Sequence, residues 1–244
     1  MSTLLIRLAA PLQSWGIDKF ERRGTERTPT KSGVIGIIAA AFGRRRNEKI
    51  DDLLTLRFGV RVDRDGKLLR DYHMAHEEKF WVTFNAVKYS HITTRYYLAD
   101  AVFLAGLEGE ETLLEQIDYA LTHPAFPLFL GRRSCPPEGR LSLGIRKGKT
   151  LLEALQEEPW QVSDWLKRRE DPEVRLPVFI DAGNESISGF VQRDLPISFD
   201  QAYRQYGYRR VSGSNSVPVA NPYSQHIIAR NTTEHDPLRE LKEE

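Results

Sequence analysis

Apolar and polar positions alternate near the start of the chain, where Leu4, Ile6 and Leu8 share one face and Leu5, Arg7 and Ala9 the other. That period of two predicts an opening strand with one well-buried face. The period lengthens over "TPTKSGVIGIIAAAFG" (28–43): Thr30 or Ser32 caps a helix, the run Val34 to Phe42 forms it, and Gly43 stops it. The small residues Gly33, Gly36 and Ala39 to Ala41 predict close packing of this helix on a sheet. Alternation returns in "RFGVRV" (57–62), with Phe58, Val60 and Val62 inward, and "DRDG" (63–66) reads as a turn into "KLLRDYHM". "YYLADAVFLAGL" (96–107) reads as one further strand. The stripe Leu113, Leu114, Ile117 and Leu121 predicts a second helix over "EETLLEQIDYAL" (110–121), and "LFL" (128–130) a short closing strand.

Strand, helix, two strands, helix, strand is the βαββαβ order of an α+β, ferredoxin-like or RNA-recognition domain, expected here over residues 1–137. Between Tyr72 and Tyr96 the chain is too long for a hairpin loop. Phe80, Val82, Phe84 and Val87 there predict an extended β-hairpin arm, a thumb inserted at about 73–95. After Pro137 the periodicity weakens. A helix at about 150–157 and strands near "VFID" (178–181) and "ISGFVQ" (187–192) predict a smaller, mostly β region over 138–222, followed by a polar tail at 223–244. Proline and glycine cluster at 131–148, which places the boundary there.

Composition then narrows the classes. Of the 244 residues 40% are hydrophobic and 28% charged, which suits an ordinary globular protein. No apolar run approaches the ~18 residues of a membrane helix, and "MSTLLIRLAAPLQSWG" lacks the basic leader of a signal peptide. The single cysteine excludes an internal disulfide, so a cytoplasmic protein without membrane contact is the expectation. A net charge of +1 excludes a uniformly basic nucleic-acid coat. The charge is nevertheless segregated. Basic residues gather at 21–31, 43–49 ("GRRRNEK"), 131–133 and 203–210 ("YRQYGYRR"), acidic ones at 108–118, 153–159, 169–173 and 234–244. The acidic runs read as solvated faces; the basic ones allow a basic groove on a neutral body.

Candidate chemistry is sparse. Cys135 has no CxxC partner, and a lone cysteine is more often a small buried hydrophobe than a nucleophile. The six histidines show no metal-ligand spacing, and neither a phosphate-binding P-loop nor GxGxxG occurs, so no cofactor and no metal are expected. Lys88, Tyr89 and His91 form a candidate metal-free ribonuclease set, since RNA cleavage needs only acid–base help to its own 2′-hydroxyl; contacts on an arm are the commoner role. What remains is a binding surface. "RTPTKSG" opens a helix whose N–H groups and dipole attract phosphate, with Arg27, Thr30 and Lys31 as direct contacts. "GRRSCPP" adds Arg132 and Arg133 on a loop stiffened by prolines. Aromatic residues of the arm, Phe80, Trp81, Phe84 and Tyr89, suit stacking on unpaired bases.

"LLIRLAAPLQSWG", "RTPTKSGVIGIIAAAFG", "LRDYHM", "YYLADAVFLAGL" and "PLFLGRRSCPP", in this order and spacing over residues 3 to about 137, resemble the CasD family of type I-E CRISPR Cascade subunits, within the RAMP superfamily. The resemblance implies a non-catalytic crRNA-binding subunit that caps the 5′ repeat-derived handle in antiviral defence. The implied partners are that handle, a CasC-like backbone subunit, a CasA-like large subunit and, through the complex, target DNA. Residues 73–95 become the thumb, and "GRRSCPP" a rigid RNA-contacting loop. Arg22, Arg23, Ser32, Tyr72, His73, Lys88 and Ser134 join Arg27, Thr30, Lys31, Trp81, Arg132 and Arg133 as the candidate RNA contacts. Two alternatives stay open: a metal-independent endoribonuclease processing precursor crRNA, as in a sister subtype of the family, and a protein-interaction module that binds no RNA.

Overall fold

The computed structural model describes residues 1–16, 22–77, 89–182, 189–212 and 215–225. Their elements in chain order are strands β1 (Ser2–Ala9), β2 (Leu12–Gln13) and β3 (Arg22–Arg23), helices α1 (Lys31–Ala41) and α2 (Asp51–Leu54), strands β4 (Arg57–Arg64), β5 (Lys67–Glu77), β6 (Tyr89–Ala99) and β7 (Val102–Gly109), and helix α3 (Glu111–Thr122). Strand β8 (Ser142–Arg146), helices α4 (Leu151–Glu157) and α5 (Asp164–Lys167), and strands β9 (Glu173–Ile180), β10 (Phe190–Ser198), β11 (Gln205–Val211) and β12 (Asn215–Ala220) follow.

Six strands form one antiparallel sheet in the order β12-β9-β4-β7-β1-β8. Four of them, β4-β7-β1-β8, with α1 and α3 as the two crossovers, are the βαββαβ ferredoxin-like unit expected from the sequence. Both faces are buried. Leu4, Ile6, Leu8, Phe58 and Phe103 pack with Val34, Ile35 and Ile38 of α1 and Leu114 and Ile117 of α3. On the opposite face Leu5 and Leu104 meet Leu151 and Leu155 of α4, together with Trp160, Val178 and Val217. There Arg61, fully buried, binds Asp63 and the carbonyls of Leu155, Glu158 and Pro159, which satisfies a charge the sheet could not otherwise hold.

Three expectations change. "LFL" is not a strand: Leu130 exchanges hydrogen bonds with Ser14 and Cys135 in a turn, and the closing ferredoxin strand is β8. "YYLADAVFLAGL" is two strands of different sheets, broken at Asp100, whose backbone is left-handed (φ 56°). The expected boundary near 137 falls within one continuous sheet, because β8, β9 and β12 all extend it.

The insertion between β4 and β7 is a β-hairpin longer than expected. β5 and β6 pair antiparallel from Lys67–Ala99 to Glu77–Tyr89. β6 also pairs with β2 and, in parallel, with β3, which ties the hairpin base to the body. Residues 78–88, including Trp81 and Lys88, lie outside the described residues, as do the side chains of Tyr89 and His91. A separate ribbon, β10 with β11, packs against α1. No helix among the described residues is long and apolar enough to cross a membrane.

Candidate nucleic-acid interface

The segment "GRRSCPP" is a closed loop docked against the end of β2. Gly131 has φ 91°, and a Cβ there would lie 1.6 Å from the Ser14 carbonyl oxygen, so only glycine allows the approach. Cys135 donates its N–H to the Arg132 carbonyl and accepts that of Leu130, and its side chain is buried in the core. Burial pushes its thiol up, away from the thiolate a nucleophile needs. Arg132 lies over the Tyr97 ring at 4.7 Å and donates to the carbonyls of Tyr96, Arg23 and Gly24, stapling the loop to the hairpin base and to β3. Ser134 lies 3.5 Å from the Tyr97 hydroxyl. Burial alone would raise the Tyr97 phenol, but Ser134 and the Arg132 charge bring it below its ordinary value.

Beside this loop runs a groove in two connected parts, of about 570 and 500 Å³. Arg44, Arg45, Arg46, Arg133 and Arg204 line the first part, and Arg23, Arg46, Arg132 and Arg204 the second; among the described residues no carboxylate lines either. Four segments far apart in sequence therefore contribute cations to one concave surface. Arg44 is anchored by Asp52, whose carboxyl the guanidinium hydrogen bond holds below the usual carboxylate range. Seven guanidiniums facing one groove raise the local anion concentration, and their planar forks match phosphate oxygens.

The expected contacts separate into two groups. Arg22, Arg23, Arg27, Arg133 and Ser134 are exposed, and Arg132 is half-buried; Arg22 reaches the Tyr96 hydroxyl, while Arg27 lies outside the groove lining. Tyr72 and His73 are exposed on β5 of the hairpin. Thr30, Lys31 and Ser32 are buried; Thr30 and Ser32 line the first part of the groove, whereas the phosphate contact expected of Lys31 is not available. The Thr30 hydroxyl accepts the Gly33 N–H as the helix cap. The Lys31 N–H donates to Asp194, and its ammonium is held by Asp181 and the Leu56 carbonyl. The helix N-terminus does attract an anion, but that anion is the chain's own Asp194, itself locked by Arg209. Arg44 to Arg46 and Arg204, absent from the expected contacts, belong to two of the basic runs visible in the sequence. Among the described residues no three His, Cys, Asp or Glu side chains gather to hold a metal ion.

Residues 3–212 match the family model described as CRISPR-associated protein (Cas_Cas5). The chain belongs to the Cas5 family of CRISPR-associated proteins. A curated relative, the CRISPR system Cascade subunit CasD of Escherichia coli (strain K12), is 35% identical over 175 residues, 63% of this chain and 75% of its own length. A chain of a solved CRISPR RNA-guided surveillance complex superposes with TM-score 0.73 at 32% identity, covering 91% of this Cas5 chain and 92% of that one. The crystal structure of a Cas protein gives TM-score 0.66 at 38% identity, covering 91% of this chain and 97% of that one. The groove arginines, from Arg23 to Arg204, all lie within the span matched by the Cas5 model.

Proposed function

We propose that this chain binds the 5′ repeat-derived handle of a CRISPR RNA, as a non-catalytic subunit of a Cascade-type surveillance complex acting in the cytoplasm. The observation that carries the reading is the two-part groove, lined among the described residues by seven arginines and no carboxylate. An RNA strand satisfies such a surface along its whole length, whereas a small anion would leave most of the guanidiniums unmatched. Likeness to a Cascade subunit supports the assembly: a CasC-like backbone subunit and a CasA-like large subunit as neighbours, with target DNA met through the complex.

Fluorescence anisotropy with labelled repeat RNA, titrated over a range of salt, tests this. Alanine at Arg45, Arg46 and Arg133 together should weaken binding and lower the log–log salt slope by about 2, at roughly 0.7 per lost phosphate contact on a single strand. An unchanged slope would place the RNA elsewhere. Running the same RNA on a denaturing gel, with and without EDTA, reads out cleavage, and cut product in EDTA would replace the binding role with a metal-independent ribonuclease.

A further inference from the structure

The ribbon β10–β11 stands apart from the six-stranded sheet. Among the described residues it meets that sheet at its root, where Val211 bridges Asp181 and the N–H groups of Ala182 and Ser212 donate to Arg210 and Ile180. Apolar packing secures it weakly: Phe190, Val191, Ile197 and Tyr208 are 47–66% exposed, while Phe199 leans on the α1 core. Its other anchor is a cluster of four charges. Asp181, just past β9, accepts from the Phe58 N–H and the Lys31 ammonium. Asp194, on β10, accepts the Lys31 N–H at the start of α1. Arg209, on β11, binds both carboxylates: Nε and Nη2 grip Asp194 at 2.6 and 2.8 Å, and Nη1 reaches Asp181 at 2.6 Å. The Arg209 side chain is 9% exposed and lies over the Phe58 ring, which keeps its charge from an RNA strand. Enclosed ion pairs return little net stability, but their bonds are satisfied in one arrangement of ribbon and body and lost in others.

What the ribbon carries gives that arrangement a use. Phe199 and Tyr206 line the first part of the groove, Gln201 the second, and Arg204 both. We propose that Arg209 is a positioning residue for RNA binding. It clamps the ribbon to the end of β9 and so holds Arg204 at the groove, without touching the RNA itself. The proposal rests on the reading of the groove as an RNA site and adds what fixes one of its walls. Lys31 belongs to the same cluster but holds Asp194 through its backbone N–H, so losing its side chain leaves the clamp in place.

Anisotropy with labelled repeat RNA over a range of salt, on variants whose folding is checked by urea unfolding, tests this. Arg209→Gln should weaken binding roughly tenfold, the scale of one lost charge-assisted hydrogen bond. It should also lower the log–log salt slope by about 0.7, one phosphate contact on a single strand. Arg204→Ala should do the same, and the double variant should match Arg204→Ala. Asp194→Asn leaves Arg209 paired with Asp181 and decides the matter where Arg209→Gln does not fold; it should shift affinity and slope in the same direction. Lys31→Ala should leave both at their wild-type values. A cluster that serves stability alone would shift the unfolding midpoint in all three variants and move no slope. A wild-type slope in folded Arg209→Gln or Asp194→Asn therefore overturns the proposal, and the groove reading survives if alanine at Arg45, Arg46 and Arg133 still lowers the slope. Losses that add in the double variant overturn it too, because Arg209 would then act through its own charge. If the wild-type chain does not bind the RNA, both readings fall.

Discussion

Lys31 shows how a side chain can have the right chemistry and the wrong address. Its ammonium is enclosed between the Leu56 carbonyl and Asp181, and the same carboxylate also accepts from the Phe58 N–H and from Arg209. Lys31→Ala should therefore act on stability. It strips one partner from a buried carboxylate, at a cost of about 1–3 kcal/mol in urea unfolding, and should leave the salt slope of RNA binding unchanged. A lowered slope in a stably folded variant would return Lys31 to the RNA surface. Cys135 presents the same contrast in a neutral group. With the thiol raised by burial and sealed in the core, alkylation by iodoacetamide at pH 8 should be slow in the native chain and become fast only in denaturant. Rapid native labelling would show the loop opening. Thr30 completes the lesson: a polar residue ahead of an apolar run signals a helix cap, and its hydroxyl oxygen accepts the Gly33 N–H and the Ser32 hydroxyl.

At the scale of elements, legibility followed local periodicity. The strand at Leu4–Leu8, helix α1 with its Gly43 stop, β4 and α3 could all be read because each repeats its own period over enough residues. The break at Asp100 could not. Ala99, Asp100 and Ala101 sit comfortably in a strand pattern, and only the pairing of β6 with β2 and of β7 with β1 forces the chain to turn there. "LFL" failed for the opposite reason, since its apolar residues serve a turn packed on Ser14 and not a ladder. The candidate site divided along the same line. Loop arginines in short basic runs were visible as charge, yet Arg44 to Arg46 joining Arg204 and Arg133 across one groove is a tertiary fact. The capture of the α1 N-terminus by Asp194, 163 residues from Lys31, is another.

At the scale of the whole molecule, the body and the hairpin are held together unequally, and that inequality can be tested. The ferredoxin sheet and its two cores take from the hairpin only residues near its base, Tyr97 and Leu98, where β6 meets β2 and β3. Leu68 opposite Leu98 and, further out, Tyr72, Met74 and Ile92 are 44–52% exposed, a large apolar surface for a lone ribbon to show to water. Such a surface is expected to be covered in the working assembly, by RNA or by a neighbouring subunit. The register provides a clean cut, because Tyr72 faces Thr94. Removing residues 73–93, Met74 and Ile92 with them, and joining the ends through Asn-Gly, the two-residue turn that matches strand twist, preserves the pairing of β6 with β2 and β3. The shortened chain should melt within a few degrees of the full one, since no core residue is lost. It should still bind short RNA through the arginine groove, with the salt slope little changed. In reconstitution with backbone and large subunits and a guide, it should fail to co-elute on size exclusion or should dissociate at raised salt. Full occupancy of the shortened chain in high salt would show that the body alone carries the assembly contacts and that the hairpin's apolar surface serves another partner.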